Sequence, residues 1–307
     1  LLLGVIVVNF LLIHLAPGNP IDALVGNYPV PESYVQELRV KYGLDKPLIE
    51  QLFRYLVQAA QGDFGFSFAH RQPVLSIIFD RLGATLLLTG TALLIACIGG
   101  ITLGVLAARK PYSLVDNTVT GLSLVGYSLP VFWLGQLLVI IFALKLGWLP
   151  SQGMNSARLL GSSGLQAFLD TARHLLLPSL VLSFRYLAVI SRMTRASMLE
   201  VMHKEYILTA YAKGLHERVV RIRHGLRNAL LPVVTVIGFE AGFLLAGSAL
   251  VETVFAWPGI GRLLYDALRM RDYPIILGVF ILTAATVLIV NLITDILYAY
   301  LDPRIQY

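Results

Sequence analysis

Four ionisable side chains lie inside long apolar stretches of the sequence, where a charge is costly and needs a reason. They are Arg185, Glu240, Glu252 and Asp295. A charged side chain at the centre of a bilayer costs about 2.5–3.5 kcal/mol on insertion scales, so such residues face a protein interior or a water-filled cavity. Arg185 and Glu240 fall near the centres of two successive apolar stretches. They predict either a structural ion pair or two opposite charges that line a shared pathway.

The other two charges lie elsewhere in their stretches. Glu252 is near the end of its stretch and close to Trp257, and this position predicts a gate. Asp295 follows Asn291 by about one helical turn. For Asp295 we expect a polar contact between packed helices rather than a role in transport.

A polar and strongly basic segment, Lys204 to Pro232, separates two of the apolar stretches. Its basic residues are Lys204, Lys213, Arg218, Arg221, Arg223 and Arg227, against Glu205 and Glu217. Residues 206–212 are predicted to form a short helix, Gly214 to end it in a left-handed conformation, and Pro232 to open the next helix. Such a loop indicates a cytoplasmic face and a docking surface for a partner. The alternative is ordinary positive-inside charge or attraction to anionic lipid.

The composition indicates a protein that crosses a membrane several times. Of 307 residues, 57% are hydrophobic and 14% charged, which is too apolar for an ordinary soluble globule. Six apolar stretches are present, at residues 1–16, 83–107, 116–144, 174–199, 229–256 and 274–301. All but the first reach the roughly 20 residues that a span requires, so we expect further residues before Leu1. The loops that are denser in Lys and Arg place the N-terminus and the C-terminus in the cytoplasm.

The remaining segments are interpreted as external structure within one domain. Residues 17–82 form a long external segment with helices predicted over 31–42 and 46–61. Residues 260–268 carry apolar side chains at helical spacing and predict a short helix on or in the external surface. No linker interrupts the chain, so residues 1–307 are expected to form a single transmembrane domain.

The sequence offers no catalytic site. It lacks the G-x-x-x-x-G-K-[ST] pattern that cradles nucleotide phosphates, so any ATPase must be a separate chain. Its six histidines are scattered without the spacing of a metal site, and no Ser, His and acid grouping suggests a hydrolase. We therefore expect no metal, no directly bound cofactor and no enzymatic activity in this chain.

The basic segment resembles the coupling loop of ABC-importer permeases, in the version used by the dipeptide, oligopeptide and nickel branch. The matching residues are Thr209, Ala210, Ala212, Lys213, Gly214 and Leu215, then His224, Leu226, Arg227, Asn228, Ala229 and Pro232. Further matches are Pro17-Gly18-Asn19-Pro20, Trp257-Pro258-Gly259-Ile260-Gly261-Arg262, Arg271-Asp272-Tyr273-Pro274 and Asp302-Pro303-Arg304. Asn19, where the family usually has Asp, departs from the pattern. The resemblance covers the full length of the chain.

The resemblance implies an all-α, polytopic membrane protein with six transmembrane helices and the type I ABC importer permease fold. It implies a coupling loop over residues 200–228, whose contacts to the ATPase come from Glu205, Thr209, Ala210, Ala212, Lys213, Gly214, Leu215, Arg227 and Asn228. The expected partners are a second homologous permease, two cytoplasmic ATP-binding subunits that hold ATP and Mg, and an external substrate-binding protein. The chain would lie in the lipid bilayer of a bacterial or archaeal cytoplasmic membrane, with no role for nucleic acid.

The resemblance also implies a role in translocation for the ionisable residues in the apolar stretches. The translocation path or gate would include Arg185, Glu240, Glu252 and Trp257, since the terminal amine and carboxylate of a peptide would find opposite charges there. Glutathione, nickel chelates, opines and some oligosaccharides remain alternative cargoes. An ion-driven secondary carrier is the rival class, but it would favour paired, Gly- or Pro-broken spans in two halves, which the sequence lacks.

Overall fold

A computed structural model describes residues 2–15, 30–156 and 164–301. The helices are α1 (Leu2–Leu15), α2 (Glu32–Tyr42), α3 (Leu48–Ala60), α4 (Val74–Arg109), α5 (Leu114–Ser128), α6 (Val131–Leu138), α7 (Leu165–Met202), α8 (Glu205–Ala212), α9 (Arg227–Val254), α10 (Ile260–Met270) and α11 (Tyr273–Leu301). Strands β1 (Phe66–Ser67) and β2 (Gln72–Pro73) form a small antiparallel hairpin. The matched segments at residues 17–20 and 302–304 lie outside the described residues.

The six apolar stretches fall on α1, α4, the α5–α6 pair, α7, α9 and α11. In the part of the chain that the structure describes, α4, α7 and α11 each contain a helical segment that is long and apolar enough to cross a membrane. The bent α5–α6 pair would add a fourth span. The fold is therefore that of an all-α, multi-pass membrane protein.

One predicted span differs from the structure. The apolar stretch at residues 116–144, which is long enough for a span, is not one straight helix, because the chain bends by 104° between Leu114–Ser128 and Val131–Lys145. Pro130 explains the break because a proline disfavours helical geometry in the residue before it, and Leu129 is extended with φ −73° and ψ 131°. After α6 the chain continues as a π-helical stretch, Val139–Lys145.

The described chain divides into two compact units, and the single-domain assignment stays a prediction. The first unit comprises residues 1–86 and 258–288 and contains both predicted external helices, α2 and α3. Each of these helices is followed by a left-handed glycine, Gly43 (φ +60°) and Gly62 (φ +77°). The helix predicted over residues 260–268 is also present, as α10.

Within this first unit, α10 buries its apolar face against the beginning of α4. Ile260, Leu263 and Ala267 pack in one cluster with residues that include Val74 and Ile78. The N-terminus of α10 is capped from α4, because the backbone N–H of Ile260 donates to Thr85 Oγ1 at 2.8 Å.

The second unit comprises residues 87–257 and 289–307. A close helix crossing in this unit joins α4 to α7 at a small-xxx-small pair, Gly100 and Gly104. A Cβ atom at Gly104 would lie 2.6 Å from the carbonyl oxygen of Ser191 and 2.5 Å from Thr194 Cβ. Only glycine allows this close approach, which is a common way to pack helices in a membrane.

Candidate functional site

The predicted coupling helix is present as α8, and it ends as predicted. Gly214 has φ +76°. Its N–H donates to the carbonyl of Tyr211 at 2.9 Å, and the N–H of Leu215 donates to the carbonyl of Ala210 at 3.4 Å. These two bonds form a Schellman motif, which satisfies carbonyl groups at the end of the helix. The helix therefore has a defined end rather than a frayed one.

Helix α8 is anchored to the rest of the second unit by a small apolar cluster. Ile207 is fully buried and Ala210 nearly so, and both pack with Val220 and Met202. Met202 is the last residue of α7, so α8 and the end of α7 share one packed contact. This contact joins α8 directly to the end of α7.

The opposite side of α8 is exposed and largely apolar. Leu208 is 64% exposed, and Tyr206, Tyr211 and Leu215 are also exposed. The coupling residues implied by resemblance are exposed with the exception of Ala210: Glu205, Thr209, Ala212, Lys213, Gly214, Leu215, Arg227 and Asn228. Clustered apolar side chains among basic residues are typical of a protein interaction surface.

Pro232 does not open the next helix, and this prediction is wrong. Helix α9 begins at Arg227 and contains Pro232 in its interior. It is preceded by the helical turn Glu217–Val219 and by a π-helical stretch, Val220–Leu226. The missing N–H of a proline removes one intrahelical bond, here the one that residue 232 would make to the carbonyl of residue 228, and the helix continues on both sides.

Arg185 lies on an exposed face of α7 rather than in a closed ion pair. Its charge is close enough to interact with Glu240, which is partly buried on α9. No ion pair joins these two described residues. The Arg185 guanidinium carbon instead lies 5.5 Å from the centre of the Tyr127 ring, and that of Arg192 lies 5.6 Å from the same ring. Sequence reasoning missed Tyr127 and Arg192, although the spacing of seven residues between the two arginines places both on one helix face.

Glu252 and Trp257 are both fully buried. Ser248 Oγ donates to Glu252 Oε1 at 3.1 Å, and the N–H of Trp257 donates to the carbonyl of Glu252 at 2.8 Å. In this conformation they support the end of α9 and are not exposed to a pathway. Asp295 and Asn291 are exposed on α11 rather than packed between helices.

A buried ion pair that the sequence did not reveal joins α5 to α7. Asp116 is 1% exposed, and Arg195 Nη2 donates to Asp116 Oδ2 at 2.7 Å while its Nε contacts Oδ1. The backbone N–H of Tyr112 also donates to Asp116 Oδ2, at 2.8 Å. The available signal was an acid at the start of one apolar stretch and a base near the end of the next. Among the described residues, no cluster of three or more His, Cys, Asp or Glu could hold a metal ion.

This fold matches solved membrane subunits of ABC transporters. A chain of the inward-facing MetNI methionine ABC transporter superposes with a TM-score of 0.56 at 18% identity, covering 74% of this chain and 97% of that chain. A chain described as an amino acid ABC transporter with histidines gives a TM-score of 0.51 at 17% identity, covering 72% and 94%. At this level of identity the likeness shows a shared fold.

The family follows from the sequence comparison. Residues 100–307 match the binding-protein-dependent transport system inner membrane component, and residues 1–89 match the N-terminal part of such membrane components. The chain belongs to this family, which confirms the resemblance seen in the sequence. It is a permease subunit of the cytoplasmic membrane and not itself an enzyme. It works with ATPase and substrate-binding components.

Curated relatives match almost end to end. The di/tripeptide transport system permease protein DppB of Pseudomonas aeruginosa (strain UCBPP-PA14) is 43% identical, over 99% of this chain and 94% of the relative. The oligopeptide transport system permease protein AppB of Bacillus subtilis (strain 168) is 39% identical, over 100% and 96%. The glutathione transport system permease protein GsiC of Escherichia coli (strain K12) is 42% identical, over 98% and 93%.

Proposed function

We propose that this chain is the transmembrane permease subunit of an ATP-driven importer, and that its path carries di- and oligopeptides delivered by an external binding protein. The transporter assignment rests on the family match. The observation that carries the proposed coupling to ATPase subunits is α8, a short helix with a fixed end, a packed inner side and an exposed apolar outer side. The peptide cargo rests on the full-length similarity to permeases named for dipeptides and oligopeptides.

The proposed assembly contains this chain, a second homologous permease, two ATP-binding subunits and one binding protein. The N-terminus and C-terminus lie in the cytoplasm, on the same side as α8. ATP and Mg bind to the partner subunits. When those subunits close on nucleotide they displace α8, and the cluster of Ile207, Val220 and Met202 passes the displacement to α7 and to the helical segment that leads into α9.

The proposed coupling surface includes Glu205, Thr209, Ala210, Ala212, Lys213, Gly214, Leu215, Arg227 and Asn228. The proposed path includes Arg185 and Glu240, because a partly exposed pair of opposite charges without a closed ion pair can receive the two ends of a peptide. Glu252 and Trp257 are assigned to the gate as supporting residues, since both are buried beside the end of α9.

Reconstitution of the assembled transporter in proteoliposomes tests the function. Uptake of a labelled dipeptide should require ATP, the binding protein and catalytically intact ATPase subunits, and should persist when ion gradients are collapsed. Uptake that needs an ion gradient and no ATP would instead establish the secondary carrier.

Competition experiments with the same proteoliposomes identify the cargo. Glutathione is the second candidate, because a permease named for glutathione is as similar as the peptide permeases. Unlabelled dipeptide, tetrapeptide, glutathione, a nickel chelate, an opine and an oligosaccharide should be compared as competitors. We expect the peptides to compete most strongly, and strongest competition by any other compound would reassign the cargo.

The docking surface is tested by one exposed substitution with a matched control. Leu208→Ser removes an apolar side chain that is 64% exposed on α8, so co-purification of the ATPase subunits should fall while the permease still folds. Val40→Ser is the control, because Val40 is 72% exposed on the external helix α2. Equal ATPase recovery with both variants would remove α8 from the docking surface.

A further inference from the structure

The Tyr127 ring of α5 lies between two arginines, Arg185 and Arg192, which are on the exposed face of α7. The guanidinium carbons of Arg185 and Arg192 are 5.5 Å and 5.6 Å from the centre of its ring. Both arginines are exposed, and the Tyr127 side chain is 50% exposed. The aromatic ring therefore holds two cationic groups near each other through cation–π contacts, where bare charge repulsion would separate them.

The surrounding protein compensates the charge of these two cations only in part. Arg195, the next arginine along α7, is paired with Asp116. Arg185 and Arg192 have no ion-pair partner among the described residues, and the nearby acid is Glu240, whose charge interacts with Arg185. Net positive charge therefore remains on this face.

The face is also fixed in orientation. Gly126, the residue before Tyr127, packs closely on α7, since a Cβ atom there would lie 3.2 Å from the Phe184 ring and 3.5 Å from Ala188 Cβ. Further along the two helices, the Asp116–Arg195 pair joins α5 to α7. The Tyr127 ring is thus presented by a rigid pair of helices.

Such a face is poorly suited to contact with lipid. Charged side chains in membrane-embedded segments face other protein groups or water-filled cavities because hydrocarbon does not solvate them. An exposed pair of guanidinium groups with net positive charge is well suited to bind a carboxylate, which accepts two parallel hydrogen bonds from one guanidinium.

We propose that Arg185, Tyr127 and Arg192 form a carboxylate-binding relay on the translocation path, which receives the C-terminal carboxylate of the cargo at one arginine and passes it to the other. This inference rests on the proposed function and extends it to two residues that the sequence did not indicate. The arginines are seven residues apart, about 10 Å along the helix axis. The ring between them positions both guanidinium groups on one face, so that the carboxylate moves from one cation to the other. Glu240, whose charge interacts with Arg185, can hold the cargo's amine.

Transport selectivity is the first test, made with the complete transporter in proteoliposomes. The probes are a dipeptide with a free C-terminal carboxylate and the same dipeptide as its C-terminal amide. We expect Arg192→Gln to lower the ratio of acid to amide uptake about tenfold, as for loss of one hydrogen bond between charged groups. Tyr127→Leu should lower it in the same direction, whereas Tyr127→Phe keeps the ring and should keep the ratio.

Arg269→Gln is the matched control for this test. Arg269 makes a similar contact with Tyr265, at 6.0 Å, on α10. This control should leave the ratio unchanged. An unchanged ratio in both Arg192→Gln and Tyr127→Leu would overturn the relay.

Thiol labelling is the second test, and it remains decisive if the amide is not carried or if uptake is lost. In a Cys97→Ala background, Arg192→Cys is treated with anionic sulfonatoethyl and cationic trimethylammonium-ethyl methanethiosulfonate, with and without ATP and vanadate. We expect the ratio of anionic to cationic reaction rates to exceed that of a free thiol, because Arg185 attracts the anionic reagent, and this excess to disappear when Arg185→Gln is added. Leu94→Cys, at a position 60% exposed on an apolar part of α4, is the unreactive control.

The two tests separate the relay from the proposed function. If Arg192→Cys is as unreactive as Leu94→Cys in every nucleotide state, lipid or a partner subunit covers the face and the relay is wrong. If labelling shows an anion-selective, water-accessible face but wild-type uptake is independent of ATP, the relay stands and the proposed importer function fails.

Discussion

The coupling loop and the charged face of α7 differ in how the chain builds them. The loop is a continuous segment whose helix, left-handed glycine and exposed apolar side chains follow from rules that act over a few residues. The charged face combines Tyr127 of α5, Arg185 and Arg192 of α7 and Glu240 of α9, so it exists only when distant segments pack together. Shape and packing matter most in the loop, whereas net positive charge matters most on the face.

Helix α7 connects these two regions. Its last residue, Met202, packs beneath α8, and its exposed arginines lie earlier in the same helix. Arg195 lies between them and is tied to Asp116 on α5. In the proposed function, a displacement of α8 would reach the charged face through one helix, and the Asp116–Arg195 pair holds α5 and α7 together.

Breaking that ion pair should have the largest effect on both regions. Loss of one partner of a buried ion pair costs about 3–5 kcal/mol, and we expect about 3 kcal/mol for Asp116→Ala because the Arg195 side chain is 25% exposed. The thermal unfolding midpoint in detergent should fall. The double variant Asp116→Ala with Arg195→Leu should regain part of the loss, since no unpaired charge remains. A double variant less stable than the single would contradict this account of the pair.

The packed side of α7 should show an intermediate effect. Gly104→Ala would place a methyl group against Ser191 and Thr194, and overpacking of this kind costs about 1–3 kcal/mol. Gly90→Ala on the same helix is the control, because no atom lies within 4 Å of the added Cβ. We expect Gly104→Ala to lower thermal stability and to weaken ATPase docking and uptake together. A loss of uptake alone, at normal thermal stability, would show that the α4–α7 crossing acts in translocation rather than in stabilising the fold.

The sequence predicted the local features well and the tertiary ones incompletely. The helices at residues 32–42, 48–60, 205–212 and 260–270 and the left-handed Gly214 follow from caps, glycines and apolar spacing. The Asp116–Arg195 pair and the position of Tyr127 depend on which faces of α5 and α7 meet, and helical periodicity does not determine that. The bend at Pro130 had a visible signal, but the length and hydropathy of residues 116–144 favoured one span.

The charged face should respond in function rather than in stability. Arg185 is exposed and has no closed ion pair with Glu240, so we expect Arg185→Ala and Glu240→Ala to leave protein levels near normal. Peptide uptake should fall about tenfold in each, which corresponds to about 1.4 kcal/mol. The loss should depend on the charge of the peptide offered.

Protein level and uptake should be measured in the two single variants and in the double. Low protein levels in both singles, with the double no worse than either, would show a structural pair instead. Strictly additive losses of stability with normal uptake of every peptide would place the two side chains on faces that act independently.

The coupling loop should show the smallest loss of stability and yet a clear loss of function. Gly214 has φ +76°, and its Cβ direction is open, with no atom within 4 Å. Gly214→Val therefore introduces backbone strain without a steric clash, about 1–2 kcal/mol. Part of this strain can be relieved by fraying the end of α8, so the unfolding midpoint should move little while ATP hydrolysis becomes uncoupled from uptake. Gly214→Asn is the matched control, because asparagine tolerates the left-handed conformation and should retain most of the coupling. If Gly214→Val assembles with its ATPase subunits and transports as well as the wild type, the defined end of α8 is not needed for coupling, and docking must rest on the exposed side chains of α8 alone.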